Sequence, residues 1–300
     1  MTRATSSFAG FGTSSTLRLL NMTQAFTSQG EQLPNIEAVI FDWAGTLVDF
    51  GSLAPTQIFV DAFATFGVHI TLAQARGPMG LSKRDHIRTL LAEPSIQAQW
   101  NQAFGRASSD QDIDAIYQRF MPMQIEKVAA YSQPIPGAVQ TLQTLRGQDI
   151  KIGSCSGYPR QVLDVLLPHA AADGIAPDCV IAGDELAAGG RPGPYMALAN
   201  VLALGAQDVR RCIKVDDTTP GIEEGRNAGM WCVGLTLSGN EVGYSQAELA
   251  AAEPAEVQAR VALAASRLTQ AGAHYVIDSV ADLPAIIEQI RERLARGEQP

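Results

Sequence analysis

Short apolar runs alternate with amphipathic stretches along the chain from residue 35 onward. Six runs are typical of buried strands: Ala38–Phe41, Ile150–Ser154, Cys179–Ala182, Cys212–Val215, Trp231–Leu235 and Tyr275–Ile277. The stretches between them have helical periodicity: Gly137–Leu145, Arg160–Leu167, Tyr195–Leu204, Gly221–Ala228 and Ala281–Ala295. An Ala-rich stretch, 246–272, predicts a helical addition to these elements. The alternation predicts an α/β fold with a parallel, Rossmann-like sheet.

The segment between the first two predicted strands breaks this alternation. From residue 51 to residue 133 there is no clear strand, and several helical patterns are amphipathic. One of them places five apolar residues on a single face: Ile58, Phe59, Ala62, Phe63 and Phe66. An insertion of about 80 residues is too long for a loop. We therefore expect an α-helical cap domain at 51–133, inserted into an α/β core formed by 35–50 and 134–300.

Residues 1–34 have a different composition from the rest of the chain. They contain many Ser and Thr residues, two arginines and no acidic residue before Glu31. This composition predicts a disordered tail. Two alternatives stay open: an organelle transit peptide, or an initiation codon assigned too early, with Met22 as the start.

Composition limits the partners and the compartment. The chain has 22 basic and 31 acidic residues, a formal net charge of −9, which argues against nucleic acid as a partner. No run of roughly 18 or more apolar residues predicts a membrane-spanning helix. The four cysteines lack the paired spacing of a zinc site and predict reduced thiols in the cytoplasm.

Polar side chains follow three of the predicted strands. Asp42 follows the first strand, Ser156 and Gly157 the second, and Asp216–Asp217 the fourth. Because the carboxyl ends of parallel strands meet at one edge of a sheet, these groups should lie close together. Carboxylates from separate strands repel one another unless a hard cation bridges them, and Mg²⁺ prefers oxygen ligands. Arg191 adds a positive charge that suits phosphate.

This arrangement resembles the haloacid dehalogenase superfamily of aspartyl phosphotransferases. The resemblance rests on Phe41-Asp42-Trp43-Ala44-Gly45-Thr46, the Ser156 turn, Arg191 and Asp217, in that order. It implies a haloacid dehalogenase-like core with the cap inserted after the first strand. It also implies that Asp42 accepts a phosphoryl group as an aspartyl phosphate.

One position departs from the phosphatases of that superfamily. They usually place a second aspartate two residues after the nucleophile, where it protonates the leaving group, but here that residue is Ala44. An ordinary phosphomonoester would lose roughly two to four decades of rate without such an acid. The protein is therefore either a weak phosphatase or an enzyme whose leaving group needs no proton there. A carbon leaving group stabilised as an enamine meets the second condition.

The predicted cap offers an amine for such an enamine, at Lys83. The pair Ser82 and Asp85 forms an S-x-x-D capping signature, which places Lys83 in the first turn of a helix. The helix N-terminus, the adjacent Arg84 and burial should each lower the pKa of this amine. His86, three residues on, can move protons while an imine forms. The alternative is a solvated lysine beside a surface histidine.

Together these features closely resemble the phosphonatase family, the phosphonoacetaldehyde hydrolases, within that superfamily. Five motifs carry the resemblance: Asp42-Trp43-Ala44-Gly45-Thr46, Met79-Gly80-Leu81-Ser82-Lys83, Gly157-Tyr158, Gly190-Arg191-Pro192 and Asn227-Ala228-Gly229-Met230-Trp231. The resemblance implies hydrolysis of the carbon–phosphorus bond of phosphonoacetaldehyde to acetaldehyde and phosphate, through an imine at Lys83.

The same resemblance implies a set of site residues and an assembly. The catalytic residues would be Asp42, Lys83 and His86. Mg²⁺ would be bound by Asp42, the Ala44 carbonyl and Asp217. The substrate would contact five residues: Met79, Ser156, Gly157, Tyr158 and Arg191. Members of the family form homodimers through the cap, and the stripe of Phe59, Phe63 and Phe66 either provides that surface or forms the core of the cap itself.

Several alternatives stay open at this point. Superfamily members often carry a further acid four residues after the metal-binding aspartate, where this chain has Gly221. Asp216 could compensate for it, and could also exchange with Asp217 as the direct metal ligand. The rival functions are a phosphomonoesterase of the same fold, a dehalogenase that needs no Mg²⁺, and a binding module without turnover.

Overall fold

The computed structural model describes residues 33–300, so the predicted tail lies almost wholly outside the described residues. Its strands are β1 (Ala38–Phe41), β2 (Lys151–Ser156), β3 (Cys179–Ala182), β4 (Cys212–Asp216), β5 (Trp231–Leu235) and β6 (Tyr275–Ile277). They form one sheet in the order β3-β2-β1-β4-β5-β6, and every neighbouring pair is parallel. The predicted α/β fold with a parallel Rossmann-like sheet is thereby confirmed.

The register of the three central strands brings their carboxyl ends to one level. Phe41 at the end of β1 pairs with Ser154 of β2 and with Val215 of β4. Strands β1 and β4 are buried along their whole length, as is usual for a parallel sheet covered on both faces. The polar residues that follow these strands therefore emerge at the same edge of the sheet.

Helices occupy most of residues 51–133, which lie between β1 and β2 and which we call the helical insert. They are α1 (Leu53–Ala64), α2 (Leu72–Arg76), α3 (Lys83–Ala92), α4 (Pro94–Phe104) and α5 (Asp110–Val128), followed by a 3₁₀ turn at Ala129–Tyr131. Within the insert, the Phe59 ring stacks on Phe120 with 4.3 Å between ring centroids. Phe59 and Phe63 are fully buried, so this part of the apolar stripe belongs to the protein's own core and leaves no surface for a second subunit.

Seven further helices follow the insert in the described residues. They are α6 (Ala138–Gly147), α7 (Arg160–Ala172), α8 (Tyr195–Leu204), α9 (Thr219–Ala228), α10 (Gln246–Ala251), α11 (Pro254–Gln270) and α12 (Leu283–Ala295), with 3₁₀ turns at Val209–Arg211 and Val280–Asp282. No helix among residues 33–300 combines the length and the apolar character that crossing a membrane requires.

Two of these helical regions differ from the sequence expectation. The stretch 246–272 holds two helices, because Ala252 and Glu253 are both extended between them, and the following Pro254 favours that conformation at Glu253. Helix α7 runs past Leu167 and through Pro168 to Ala172, although an internal proline normally ends a helix. The buried side chain of Ala170 packs in the last turn, so tertiary packing holds the helix beyond the proline.

Candidate active site

Asp42 lies directly after β1, at the carboxyl edge of the sheet. Its backbone N–H donates to the Val215 carbonyl at 3.0 Å, which fixes the first residue of the loop against β4. The carboxylate is buried, with 5% of the residue exposed. Burial, together with repulsion from Asp216, raises the pKa of Asp42 to about 6 against the opposing charge of Arg191. The group is therefore still largely a carboxylate at neutral pH, as a nucleophile must be.

Arg191 is the buried cation closest to this carboxylate. Its Nη2 lies 2.7 Å from Asp42 Oδ1 and 3.2 Å from Asp216 Oδ2, and its Nε donates to Glu224 at 2.9 Å. The same Nη2 donates to the Cys155 carbonyl at 3.0 Å. Since a guanidinium keeps its proton, this side chain supplies a fixed positive charge beside Asp42.

Three aspartates meet at the sheet edge in the manner of a metal site. One carboxylate oxygen each from Asp42, Asp216 and Asp217 lies within 4.8 Å of the others, and all three residues are buried. Oxygen ligands at this density suit a hard divalent cation, which would also offset their mutual repulsion. The carboxylates expected at this edge are thus close together.

The surroundings of the two neighbouring aspartates favour Asp217 as the direct ligand. Burial alone would raise the pKa of Asp216, but Arg191 and Lys214 together lower it, so this carboxylate already has cationic partners. Burial and the charges of Asp42 and Asp216 raise the pKa of Asp217 well above its usual value. Its oxygens accept hydrogen bonds from Thr46 Oγ1 and the Asn240 N–H, but no salt bridge among residues 33–300 includes it.

Asp216 occupies the space where a side chain at position 221 would begin. A Cβ added to Gly221 would lie 2.0 Å from the Asp216 Cγ. The Asp216 carboxylate also accepts hydrogen bonds from the N–H and the hydroxyl of Thr218, at 3.0 and 2.7 Å. The carboxylate of Asp216 therefore occupies the space beside position 221, and Gly221 leaves room for it because it has no side chain.

Lys214 and Glu224 are buried charged neighbours of the site that sequence reasoning missed. Lys214 Nζ lies 2.5 Å from Asp216 and 3.6 Å from Glu224, and all three side chains are fully buried. A lysine inside the apolar strand Cys212–Asp216 was a signal for the first of these residues. Glu224 gave no comparable signal, because its partners come from distant parts of the chain.

Lys83 is the first residue of α3 and faces the same edge of the sheet. As predicted, Ser82 caps this helix, and its Oγ accepts from the Asp85 N–H at 3.3 Å. Lys83 is only 4% exposed. Its Nζ lies 4.9 Å from the ring centroid of Tyr158 and 5.6 Å from that of Phe59, so aromatic faces surround the amine.

The physical cause of the lowered pKa of Lys83 differs in part from the prediction. Burial lowers this pKa to about 7, with a further contribution from Arg191 and against the attraction of Asp42. Arg84, which the sequence suggested as the neighbouring cation, instead donates from its Nε to Asp114 at 2.7 Å and is partly exposed. The cation that acts on the amine is thus Arg191, in the loop between β3 and α8, and not the next residue in the chain.

The loop before Lys83 rests on backbone of the sheet edge. A Cβ added to Gly157 would lie 2.4 Å from the Leu81 carbonyl oxygen, and one added to Gly80 would lie 2.3 Å from Thr218 Oγ1. The Gly80 carbonyl also accepts a hydrogen bond from Arg191 at 3.3 Å. Side chains at positions 80 and 157 would hold this loop, and Lys83 with it, away from the sheet edge.

A small cavity of about 20 Å³ separates Lys83 from Asp42. Its lining includes eight of the predicted site residues: Asp42, Ala44, Met79, Lys83, Ser156, Gly157, Tyr158 and Arg191. Ser52, Pro55 and Thr218 complete the wall together with Gly80. Within this wall the Ser156 hydroxyl accepts from the Tyr158 N–H at 3.0 Å, which leaves its own hydrogen free for an oxygen in the cavity.

Two predicted site residues lie outside this lining: Asp217, which belongs to the carboxylate cluster, and His86. Its ring stacks on Phe59 with 3.8 Å between centroids, and its Nε2 lies 2.9 Å from the Ala75 carbonyl. A carbonyl only accepts, so Nε2 carries the hydrogen and the buried Nδ1 is an acceptor without a partner in the described chain. Burial, followed by the Lys83 charge, lowers the pKa of His86 well below its usual value.

Known proteins with sequences similar to this chain include phosphonoacetaldehyde hydrolases. A sequence model described as haloacid dehalogenase-like hydrolase matches residues 36–229. A phosphonoacetaldehyde hydrolase of Salmonella paratyphi A is 59% identical over 266 residues, which cover 88% of this chain and 99% of that protein. One from Klebsiella pneumoniae is 57% identical over the same shares. The crystal structure of a phosphonoacetaldehyde hydrolase-like protein from Oleispira antarctica superposes with a TM-score of 0.87 at 44% identity, covering 92% of this chain and 99% of that one.

Proposed function

The chain belongs to the phosphonoacetaldehyde hydrolase family of the haloacid dehalogenase-like hydrolases, and from this we propose that it hydrolyses the carbon–phosphorus bond of phosphonoacetaldehyde to acetaldehyde and phosphate. The observation that carries the proposal is the pairing of Lys83 and Asp42 across one cavity. A buried amine with a lowered pKa faces a buried carboxylate, and Ala44 stands where a phosphatase would keep its acid.

The amine activates the substrate carbon. Neutral Lys83 adds to the aldehyde carbonyl, and loss of water gives an iminium ion. When the carbon–phosphorus bond breaks, its electron pair moves to the carbon and forms an enamine with the former iminium. The enamine then takes a proton at carbon, and water releases acetaldehyde and free Lys83. No alkoxide leaves, so the absence of an acid at position 44 costs this reaction nothing.

The carboxylate receives the phosphoryl group. Asp42 attacks phosphorus opposite the departing carbon and forms an aspartyl phosphate, which water later hydrolyses. Arg191 and the Ser156 hydroxyl lie where they can stabilise the charged oxygens of phosphorus. Mg²⁺, held by Asp42, Asp217 and the Ala44 carbonyl, would supply further positive charge beside those oxygens.

His86 is proposed as the residue that moves protons during imine formation. Two observations support this role: His86 lies three residues after Lys83 on the same helix, and its Nδ1 has no hydrogen-bond partner among the described residues, although its ring lies behind Phe59 and outside the cavity wall. We also propose that the helical insert moves as a cap, since a cavity of about 20 Å³ holds about one water and no larger substrate can enter without opening.

A homodimer formed through the insert and a location in the cytoplasm complete the proposal. The homodimer does not rest on Phe59 and Phe63 of the apolar stripe, because both side chains are buried within the chain. The four cysteines are free, as expected in a reducing compartment.

Two substitutions test the reaction. We expect Lys83→Arg and Asp42→Asn each to lower phosphate release from phosphonoacetaldehyde by at least about a thousandfold, because each removes a group that bonds covalently to the substrate. Lys151→Arg, at an exposed lysine of β2, is the matched control. Substantial activity in Lys83→Arg would remove the imine step. Hydrolysis of p-nitrophenyl phosphate with none of phosphonoacetaldehyde would select the phosphomonoesterase instead.

A further inference from the structure

Arg76 is a cation of the insert whose contacts lie outside the cavity. It is the last residue of α2 and precedes the loop that carries Gly80 and Lys83. Its Nη1 donates to the Gly51 carbonyl at 2.9 Å and to the Asn240 carbonyl at 3.2 Å, and its Nη2 donates to the Gly243 carbonyl at 3.0 Å. One guanidinium thus binds the loop before α1 and the loop after β5.

The loop after β5 leads from Arg76 to a predicted metal ligand. The Asn240 side chain returns a hydrogen bond from Nδ2 to the Arg76 carbonyl at 3.2 Å, and its Oδ1 lies 3.3 Å from Arg76 Nη1. The Asn240 backbone N–H donates to Asp217 Oδ2 at 2.7 Å. Two hydrogen-bonded steps therefore connect the base of the Lys83 loop with the carboxylate edge.

The space around this guanidinium is fitted to it. A Cβ on Gly243 would lie 2.7 Å from Arg76 Cζ, so the loop approaches the charged group through backbone alone. No salt bridge in residues 33–300 includes Arg76, and carbonyl oxygens are its hydrogen-bond partners apart from the Asn240 amide. A planar fork with several fixed donors can bind such an array, whereas an ammonium group cannot match it.

We infer that Arg76 is a positioning residue for the reaction: it holds the Lys83 loop against the sheet edge, so that the amine meets the substrate above Asp42. This inference rests on the proposed imine at Lys83. Arg76 touches neither the cavity nor the substrate, and it acts through the loop that connects it to Lys83. Hydrogen bonds to a charged group are among the stronger ones. Without those of the Arg76 guanidinium, the Lys83 loop should lie against the sheet edge in only a small fraction of molecules.

The test measures how fast Lys83 is trapped by phosphonoacetaldehyde and cyanoborohydride, with the adduct located by peptide mass spectrometry. Arg76→Met keeps the length of the side chain and removes the fork. We expect trapping to slow by at least about tenfold, the effect of about 1.4 kcal/mol. Asn240→Ala, which removes only the side-chain part of the array, should slow it by about threefold or more. Arg267→Met is the matched control, an exposed arginine of the same surface groove that pairs with Glu241, and should stay within about twofold of the parent chain.

A second readout separates positioning from a general loss of structure. Inhibition by inorganic phosphate reports the sheet-edge groups, and its constant should stay within about threefold in each variant. Trapping in Arg76→Met within about twofold of the parent overturns the inference, as does a phosphate inhibition constant that rises in proportion to the lost trapping rate. If the parent chain itself forms no adduct at Lys83, the proposed imine fails and the inference fails with it.

Discussion

The Lys83 amine should form its imine with a pH dependence centred near neutrality. Its pKa is lowered from 10.5 to about 7, chiefly by burial. At pH 7 about half of the Lys83 amines are then uncharged, against about one in three thousand for an amine with a pKa of 10.5. This difference in pKa corresponds to a free energy of roughly 5 kcal/mol. Because a neutral amine is the nucleophile, trapping should rise about tenfold per pH unit below 7 and level off above it.

The assay follows reductive trapping of Lys83 between pH 5.5 and 9 at a fixed, subsaturating concentration of aldehyde. Exposed Lys151, mapped in the same digest, is an internal reference for the reagent and for aldehyde hydration. A rate that continues to rise tenfold per pH unit up to pH 9 would mean that the folded protein does not suppress the charged amine. The reasoning from burial would then be refuted.

Two further predictions concern the carboxylate edge. Gly221→Ala should lower turnover by about a hundredfold and lower the free energy of unfolding in urea by about 1–3 kcal/mol, because the added methyl must displace Asp216. The control is Gly147→Ala, where an added Cβ meets nothing within 4 Å. Equal effects of the two substitutions would contradict the close approach of Asp216 to Gly221. Removing divalent metal with EDTA should abolish phosphate release and leave adduct formation at Lys83 intact, since the carboxylates proposed to bind the metal lie at the sheet edge and Lys83 belongs to the insert. A parallel loss of both activities would show that the amine depends on the metal.

The strands and the residues at their ends were largely predictable from the sequence. β1, β3, β5 and β6 have the predicted bounds, because each is a short continuous apolar run within a parallel sheet. The placement of Asp42 and Asp217 at one edge followed from the parallel topology alone. Helix ends were less certain, as α7 shows, because packing of Ala170 outweighs the local effect of Pro168.

The electrostatic partners within the site were not predictable in the same way. Arg84 is next to Lys83 in sequence, yet Arg191, more than a hundred residues away, is the cation that acts on the amine. Lys214 is buried beside Asp216 and Glu224, and Glu224 is buried beside Lys214 and Arg191. The position of Lys214 within an apolar strand was a signal for that residue, but nothing next to Glu224 in the sequence indicates its partners. Which charges neutralise one another depends on residues that only the folded sheet edge brings together, so the sequence of one segment cannot predict these pairs.

The contact of the Gly80–Leu81 backbone with Gly157 and Thr218 has a consequence for substrate range. Leu81 meets Gly157 main chain against main chain, so the backbone sets how far the Lys83 loop stands from the sheet edge, and side-chain rotamers around the cavity do not change that distance. An enzyme selected for longer-chain phosphonates would therefore need a loop of different length before Lys83, since exchanging side chains around the cavity would widen it without moving this loop away from the sheet edge.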